Sequence, residues 1–262
     1  MRLLLIRHAQ IPSNVLGILD TDAPGPSLTD LGREQARALG ATLGDEPVEA
    51  AWASTLVRTQ ETIEPTAEGR LPVTVLDGLR EIRAGDLEGE RTREAQRAYM
   101  STVFAWATGD RDRRMPGGES GHEFFARFDG ALQQVAASGA EDAVVVSHGA
   151  AIRCWSATVE GADRDFLASH PLPNTGIVAV EGEPGAWRMR AWREFTAGQP
   201  VAPPSADRDP TGAGGQEPHS GLAGAGASAA VAREDHRNQG PSEARIVAAC
   251  AQRREPPTPG TT

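Results

Sequence analysis

The chain has 262 residues, a formal net charge of −10 and two widely separated cysteines, Cys154 and Cys250. This length suits one large or two small domains with a substantial core. The acidic balance argues against nucleic acid or an anionic membrane surface as the main partner. The cysteine spacing supports neither a zinc site nor a disulfide framework. Because the apolar runs are too short for a bilayer span or a signal-peptide core, we expect a cytoplasmic protein.

Short apolar runs alternate with helical patterns along the chain. The sequence predicts strands at residues 3–6, 48–53, 73–76 and 142–147, with helices at 30–43, 57–67 and 150–159, and two final strands at 176–181 and 187–195. Thr29 is a plausible N-cap for the first helix. The final two strands are expected to be antiparallel at the sheet edge. This alternation predicts an α/β fold in which a three-layer, mostly parallel sheet has helices on both faces.

A long insertion and a change of composition define the expected domain organisation. Residues 88–139 are predicted to hold two helices, 93–108 and 119–137, joined by a polar loop. An insertion over the active-site edge of a sheet is a natural lid or substrate-selecting element. From residue 196 onward the chain is rich in Ala, Gly and Pro and lacks aromatic residues. We therefore expect a catalytic domain at 1–195 and a disordered tail at 196–262.

Polar side chains of related chemistry follow each predicted parallel strand. Arg7 and His8 follow the first strand, Ser54 and Arg58 the second, Glu81 the third and His148 the fourth. Ligands of open α/β sheets bind outside the carboxyl ends of the strands, so we expect these side chains to meet. Ser54 is interpreted as a strand-end hydroxyl that bonds the local backbone.

These residue types suit the hydrolysis of a phosphate ester. Two guanidiniums grip phosphoryl oxygens with charge-assisted hydrogen bonds, and they also keep a neighbouring imidazole neutral and nucleophilic. A carboxylic acid protonates the leaving oxygen and then activates water. Asn14 adds a neutral donor, and Glu88 stays open as an alternative to Glu81. We expect no cofactor and no metal, because the sequence shows no ligand cluster suited to Mg²⁺ or Zn²⁺.

Six motifs, in order, resemble those of the histidine phosphatase superfamily, also called the phosphoglycerate-mutase-like family. They are residues 5–14 (LIRHAQIPSN), 28–36 (LTDLGREQA), 54–62 (STLVRTQET), 79–81 with 85–89 (LRE and GDLEG), 116–120 (PGGES) and 146–149 (VSHG). The resemblance implies a metal-independent enzyme in which His8 is transiently phosphorylated. It also implies that Glu81 is the proton donor, and that the phosphate pocket consists of Arg7, Arg58 and His148 with help from Asn14.

Two positions depart from the family pattern. Ala9 stands where a glycine is usual after the Arg-His pair, and Ile11 stands where a serine or threonine is usual. The first change tightens a backbone position, and the second removes a hydroxyl that helps to hold phosphate. We expect altered rate or substrate choice with a complete catalytic set.

Three functions remain open from the sequence. The first is a phosphomonoester hydrolase acting on a small phosphorylated metabolite, the second a phosphoglycerate mutase, and the third a non-catalytic phospho-ligand binding module. The mutases resemble one another in an Arg-x-Tyr-Gly pattern after the catalytic Glu, whereas Glu81 is followed here by Ile-Arg-Ala-Gly. The phosphatase is therefore favoured, and a homodimer is left open.

Overall fold

The computed structural model describes residues 1–161, 164–194, 197 and 211–212. The strands are β1 (Arg2–Arg7), β2 (Ala50–Ala53), β3 (Val73–Val75), β4 (Asp142–Ser147), β5 (Ile177–Glu181) and β6 (Arg188–Arg193). The helices are α1 (Pro12–Leu16), α2 (Asp30–Leu43), α3 (Val57–Ala67), α4 (Arg93–Ala107), α5 (Gly121–Ala136), α6 (Gly149–Glu160) and α7 (Arg164–Ser169). Every predicted strand and helix is present, with ends that differ by a few residues.

The strands form one six-stranded sheet in the order β3-β2-β4-β1-β5-β6. The first four of these neighbours pair in parallel, while β5 is antiparallel to both β1 and β6. The prediction of a mostly parallel sheet with an antiparallel edge pair is confirmed. In the β1–β4 register Arg7 is opposite Ser147, so the residues that follow, His8 and His148, emerge side by side.

Alternating side chains of β1 serve two separate cores. Leu3 and Leu5 point into the core with aromatic residues of α4, α5 and α6, whereas Leu4 and Ile6 pack with apolar residues of α2 and α3. These four side chains are at most 8% exposed, which requires apolar cover on both faces of the sheet. The three-layer arrangement is thereby confirmed.

Side-chain caps set the first residue of two helices. The Thr29 hydroxyl accepts from the Gly32 backbone N–H at 2.9 Å, so α2 begins at Asp30 as predicted. Ser120 caps α5 in a reciprocal box with Glu123. That box keeps Ser120 outside the helix, so α5 begins two residues later than the predicted start at residue 119.

The insertion packs on the loop that carries Glu81. The Asp86 backbone N–H donates to the Pro116 carbonyl at 2.8 Å. Gly85 has φ +60°, and a Cβ there would lie 2.1 Å from that carbonyl oxygen, so only glycine permits this approach. The insertion thus supports the edge of the sheet where the predicted site lies.

The predicted tail, 196–262, lies outside the described residues except for Ala197, Thr211 and Gly212. All three are buried. The Ala197 N–H donates to the Thr175 hydroxyl at 2.8 Å, and the Leu172 N–H donates to the Gly212 carbonyl at 3.0 Å. In the part of the chain that the structure describes, no helix is long and apolar enough to cross a membrane.

Candidate active site

His8 lies directly after β1 and is 3% exposed. Its Nδ1 is 2.7 Å from the Ala9 carbonyl oxygen. Because a carbonyl only accepts, Nδ1 carries the ring proton and Nε2 keeps its lone pair. Burial, followed by the charges of Arg58 and Arg7, holds the pKa of His8 well below its usual range. The imidazole is therefore neutral and has a basic nitrogen.

Arg58 contributes a buried cation to the same pocket. Its Nη2 donates to the Asp20 carbonyl at 2.9 Å, and its Nη1 is 3.9 Å from the Asp20 carboxylate. Within the described chain, Nε and Nη1 are buried without a hydrogen-bond partner. A Cβ on Gly25 would lie 2.4 Å from Nη1, so the glycine lets this loop pass beside the guanidinium. These two donor nitrogens are suited to hydrogen-bond an anionic ligand.

Arg7 is fully buried at the end of β1. Its Nη1 donates to the Leu172 carbonyl at 2.9 Å, and its Nη2 donates to the Thr211 hydroxyl at 3.1 Å. A Cβ on Gly212 would lie 1.6 Å from Nη1. Residues beyond the predicted domain boundary therefore help to fix the Arg7 guanidinium.

His148, the N-cap residue of α6, is fully buried beside His8, with ring centroids 5.3 Å apart. Its Nε2 is 2.8 Å from the Ser54 hydroxyl oxygen, and its Nδ1 has no hydrogen-bond partner among the described residues. Burial lowers the pKa of His148 well below its usual range, assisted first by the charge of Arg58. Ser54 bonds the local backbone as interpreted, through the Leu56 N–H, and in addition reaches the predicted site.

Glu81 is 2% exposed and its carboxylate is held by backbone donors. Oε1 accepts from the N–H groups of Ile82 at 2.9 Å and Ala151 at 2.8 Å, and Oε2 accepts from Ala150 at 3.1 Å. Two of these donors belong to the first turn of α6, where the helix dipole favours negative charge. Burial nevertheless dominates and raises the pKa of Glu81, although the three hydrogen bonds oppose it.

The carboxylate of Glu88, the alternative to Glu81, accepts hydrogen bonds from a neighbouring loop. It accepts from the Thr21 N–H at 2.7 Å, from the Thr21 hydroxyl at 2.5 Å and from the Asp22 N–H at 3.2 Å. Thr21 in turn accepts from the Ala84 N–H at 2.9 Å. Glu88 thus ties the loop beside Arg58 to the segment after Glu81.

Asn14, in α1, joins the site through a residue that the sequence did not indicate. The Asn174 side-chain amide donates to the His8 carbonyl at 2.9 Å and to Asn14 Oδ1 at 3.1 Å. Asn14 Oδ1 also accepts from the Ile11 N–H at 3.2 Å. Because Oδ1 accepts both of these hydrogen bonds, the Asn14 amide presents its N–H side to other partners.

Arg127 of α5 binds the backbone of the segment that carries Glu81. Its guanidinium donates to the carbonyls of Gly78, Arg80 and Glu81, each at 2.9 Å. It also forms a largely buried, bidentate ion pair with Glu119. The insertion therefore fixes the backbone on which Glu81 is placed.

The two departures from the family pattern are accommodated by packing. Ala9 is fully buried and Ile11 is 2% exposed, and both belong to a small apolar cluster with Leu28 and Ala36. The Ala9 N–H donates to the Thr62 hydroxyl at 2.9 Å. The Ile11 side chain thus serves the packing of α2 and supplies no polar contact to the pocket.

No described group of three or more His, Cys, Asp and Glu side chains has an arrangement suited to a metal ion. The buried polar groups instead gather around two neutral imidazoles and two guanidiniums. Buried cationic donors that face imidazoles at the carboxyl edge of an α/β sheet define a protein of the phosphate-ester-handling class.

The chain belongs to the histidine phosphatase superfamily (branch 1), whose family model matches residues 3–194. It is 35% identical over 220 residues to the PE-PGRS family protein PE_PGRS11 of Mycobacterium tuberculosis, covering 76% of this chain but only 37% of that protein. It is 31% identical over 150 residues to the adenosylcobalamin/alpha-ribazole phosphatase of Salmonella typhimurium, covering 56% of this chain and 74% of the relative.

A solved structure shares the fold. The mycobacterial glucosyl-3-phosphoglycerate phosphatase, in complex with VO3, superposes with a TM-score of 0.62 at 28% identity, and the match covers 74% of this chain and 99% of that one. The predicted family and fold class are confirmed by these matches.

Proposed function

We propose that the protein is a metal-independent phosphomonoesterase that acts through a phosphohistidine on His8. The observation that carries the proposal is the Nδ1–H of His8 fixed on the Ala9 carbonyl. That contact leaves the Nε2 lone pair as the nucleophile, inside a pocket where burial and the neighbouring cations keep the ring neutral.

In the first step, Nε2 attacks phosphorus and the bond from phosphorus to the ester oxygen breaks. The departing oxygen takes the proton of Glu81, whose raised pKa favours the acid form. In the second step, the Glu81 carboxylate takes a proton from water, and the hydroxide displaces His8 from phosphorus. Inorganic phosphate leaves, and both side chains return to their starting forms.

The other predicted site residues bind the transferred group in this scheme. Nε and Nη1 of Arg58, which have no hydrogen-bond partner among the described residues, donate to phosphoryl oxygens, and Arg7 adds a second buried positive charge. His148 and Asn14 supply neutral donors. These groups act most strongly on the charge that develops in the transition state, since they are fixed in a water-poor pocket.

We propose a small phosphorylated metabolite as the substrate, in keeping with the named phosphatases among the relatives. Residues 1–195 form the catalytic domain in this proposal, and 196–262 the tail. A cytoplasmic location, the lack of nucleic-acid and membrane partners, and a possible homodimer stay predictions.

The first experiment measures phosphate release from a panel of phosphomonoesters in excess chelator. The wild type is expected to release phosphate, and His8→Ala is expected to release none. His122→Ala is the matched control, because this histidine is exposed and its Nε2 lies 3.2 Å from the carboxylate of Asp112, itself an exposed residue. Trapping with ³²P-labelled substrate should give an acid-labile, alkali-stable phosphoprotein that His8→Ala lacks.

Three results would overturn the proposal. Labelling that survives in His8→Ala would place the nucleophile elsewhere. Conversion of 3- to 2-phosphoglycerate without net phosphate release would establish the mutase instead. Binding of phospho-ligands with neither reaction would establish the binding module.

A further inference from the structure

The neutral ring of His148 carries a single proton, and its position decides what the ring offers to a ligand. With the proton on Nδ1, the ring presents a donor at the nitrogen that has no partner among the described residues. With the proton on Nε2, the ring presents a bare lone pair there, which repels a phosphoryl oxygen. The contact at Nε2 selects between the two tautomers.

That contact is the Ser54 hydroxyl, 2.8 Å from Nε2. Ser54 Oγ already accepts from the Leu56 N–H at 3.2 Å, and the Thr59 hydroxyl oxygen is 3.0 Å away. All of these atoms are buried, so water does not satisfy them. The Ser54 hydroxyl thus has one proton to donate and two neighbours that accept one, namely His148 and Thr59.

The hydrogen-bond acceptors around Thr59 favour His148 as the group that receives the Ser54 proton. Its hydroxyl lies 2.8 Å from the Leu56 carbonyl and 3.1 Å from the Ser54 carbonyl. These carbonyls only accept, so the Thr59 proton has acceptors of its own. An imidazole nitrogen is a more basic acceptor than a hydroxyl oxygen, and the contact of Ser54 with His148 is the shorter one.

We propose that Ser54 is a positioning residue which donates its hydroxyl proton to His148 Nε2 and thereby holds His148 in the Nδ1–H tautomer. The Nδ1–H group is then directed at the phosphoryl group carried by His8. Ser54 touches neither the phosphoryl group nor the nucleophile in this arrangement, and its effect passes through the imidazole. The use of this donor rests on the proposed phosphatase function, whereas the tautomer itself does not.

The experiment reads the tautomer directly in the ligand-free, full-length protein near neutral pH. Long-range ¹H–¹⁵N correlation spectra of ¹⁵N-histidine-labelled protein separate the protonated from the bare ring nitrogen, and the His148→Asn variant assigns the signals. The wild type is expected to show Nδ1–H at His148. Ser54→Ala is expected to move a large share of the population to Nε2–H.

Thr59→Val is the matched control, because it removes the competing acceptor while keeping the shape of the side chain. The Nδ1–H tautomer should persist in this variant. Ser54→Thr keeps the hydroxyl and should show the wild-type spectrum.

A functional readout complements the spectra. The dissociation constant for orthovanadate should rise about tenfold in Ser54→Ala, the size expected for one hydrogen bond. An Nε2–H signal at His148 in the wild type would overturn the proposal. A His148 spectrum of Ser54→Ala that is identical to the wild-type spectrum would overturn it as well. Absence of phosphatase activity would count against the proposed function and leave the tautomer result standing.

Discussion

Asn174 donates to the carbonyl oxygen of His8 at 2.9 Å, although the two residues are 166 positions apart in the chain. The same amide holds Asn14 Oδ1, so one side chain aligns the proposed nucleophile and a proposed phosphate donor. Asn174→Ala should lower kcat/KM about tenfold, because two hydrogen bonds that orient the pocket are lost. Steady-state kinetics checks this. Unchanged kinetics with an unchanged melting temperature would contradict it.

Glu81 and Glu88 provide a matched pair for testing the proton donor. Glu81→Gln should lower kcat/KM, which reports the transfer to His8, about a hundredfold on alkyl phosphates, and much less on p-nitrophenyl phosphate, whose leaving group needs little protonation. Glu88→Gln weakens the hold on Thr21 and Asp22 and should slow both substrates by similar factors. The ratio of rates for the two esters is the measurement. A leaving-group dependence that changes only in Glu88→Gln would identify Glu88, and not Glu81, as the proton donor.

The two buried histidines make the protein sensitive to acid. Their pKa values are lowered by burial and neighbouring arginines, so below about pH 6.5 the unfolded chain binds more protons than the folded one. The free energy of unfolding should therefore fall with decreasing pH, by up to about 1.4 kcal/mol per pH unit for each histidine. Glu81 acts oppositely, because its raised pKa adds stability that is lost as pH rises through that pKa.

Denaturant titrations between about pH 7 and pH 5 measure this slope. A double variant, His8→Asn with His148→Asn, lacks both titrating groups and should have a shallower slope than the wild type. Identical slopes would show that the histidines titrate normally in the folded protein.

A bound oxyanion should stabilise the fold through Arg58. At a hundredfold excess over its dissociation constant, orthovanadate is expected to add about 2.7 kcal/mol to the free energy of unfolding. Arg58→Met should abolish most of this increment, because it removes the guanidinium donors that have no hydrogen-bond partner among the described residues. Arg33→Met, at a half-exposed arginine paired with Asp30, should retain it. Thermal shift with and without the anion provides the comparison.

Thr211 offers a test of whether residues after the predicted domain boundary serve the pocket. Its hydroxyl accepts from Arg7 Nη2 at 3.1 Å. Thr211→Val keeps the shape but removes this acceptor, and it should weaken binding of inorganic phosphate about fivefold. Thr211→Ser should bind as the wild type does. Equal affinity in all three proteins would show that Arg7 is held adequately by other groups.

The residues predicted from sequence and those missed differ in one physical respect. His8, Arg58, Glu81 and His148 follow parallel strands, and the rule that such strand ends meet needs no knowledge of strand order. Asn174 precedes the antiparallel strand β5, so it reaches His8 only because β5 pairs with β1. That pairing could not be read from local patterns, since it depends on which crossovers the whole chain makes.

The contacts of Ser54 and Thr211 with the site residues were not predicted from the sequence, for related reasons. Ser54 does bond the backbone at Leu56, and its second contact depends on β2 lying next to β4. Thr211 comes from a stretch whose composition gave no sign of ordered contacts. The start of α2 was predicted correctly from the cap at Thr29, whereas α5 begins two residues after its predicted start although Ser120 caps it. The five-residue helix α1 is too short for its pattern to be recognised.

The position of β1 between β4 and β5 has a consequence for how the molecule is made. Arg2 pairs with Asp142 on one side and with Glu181 on the other. A nascent chain must therefore keep its apolar first strand unpaired until both partners have left the ribosome. Because His8 follows that strand, the pocket is completed only when most of the domain has been synthesised, and prematurely terminated chains would expose an apolar segment to chaperones and proteases.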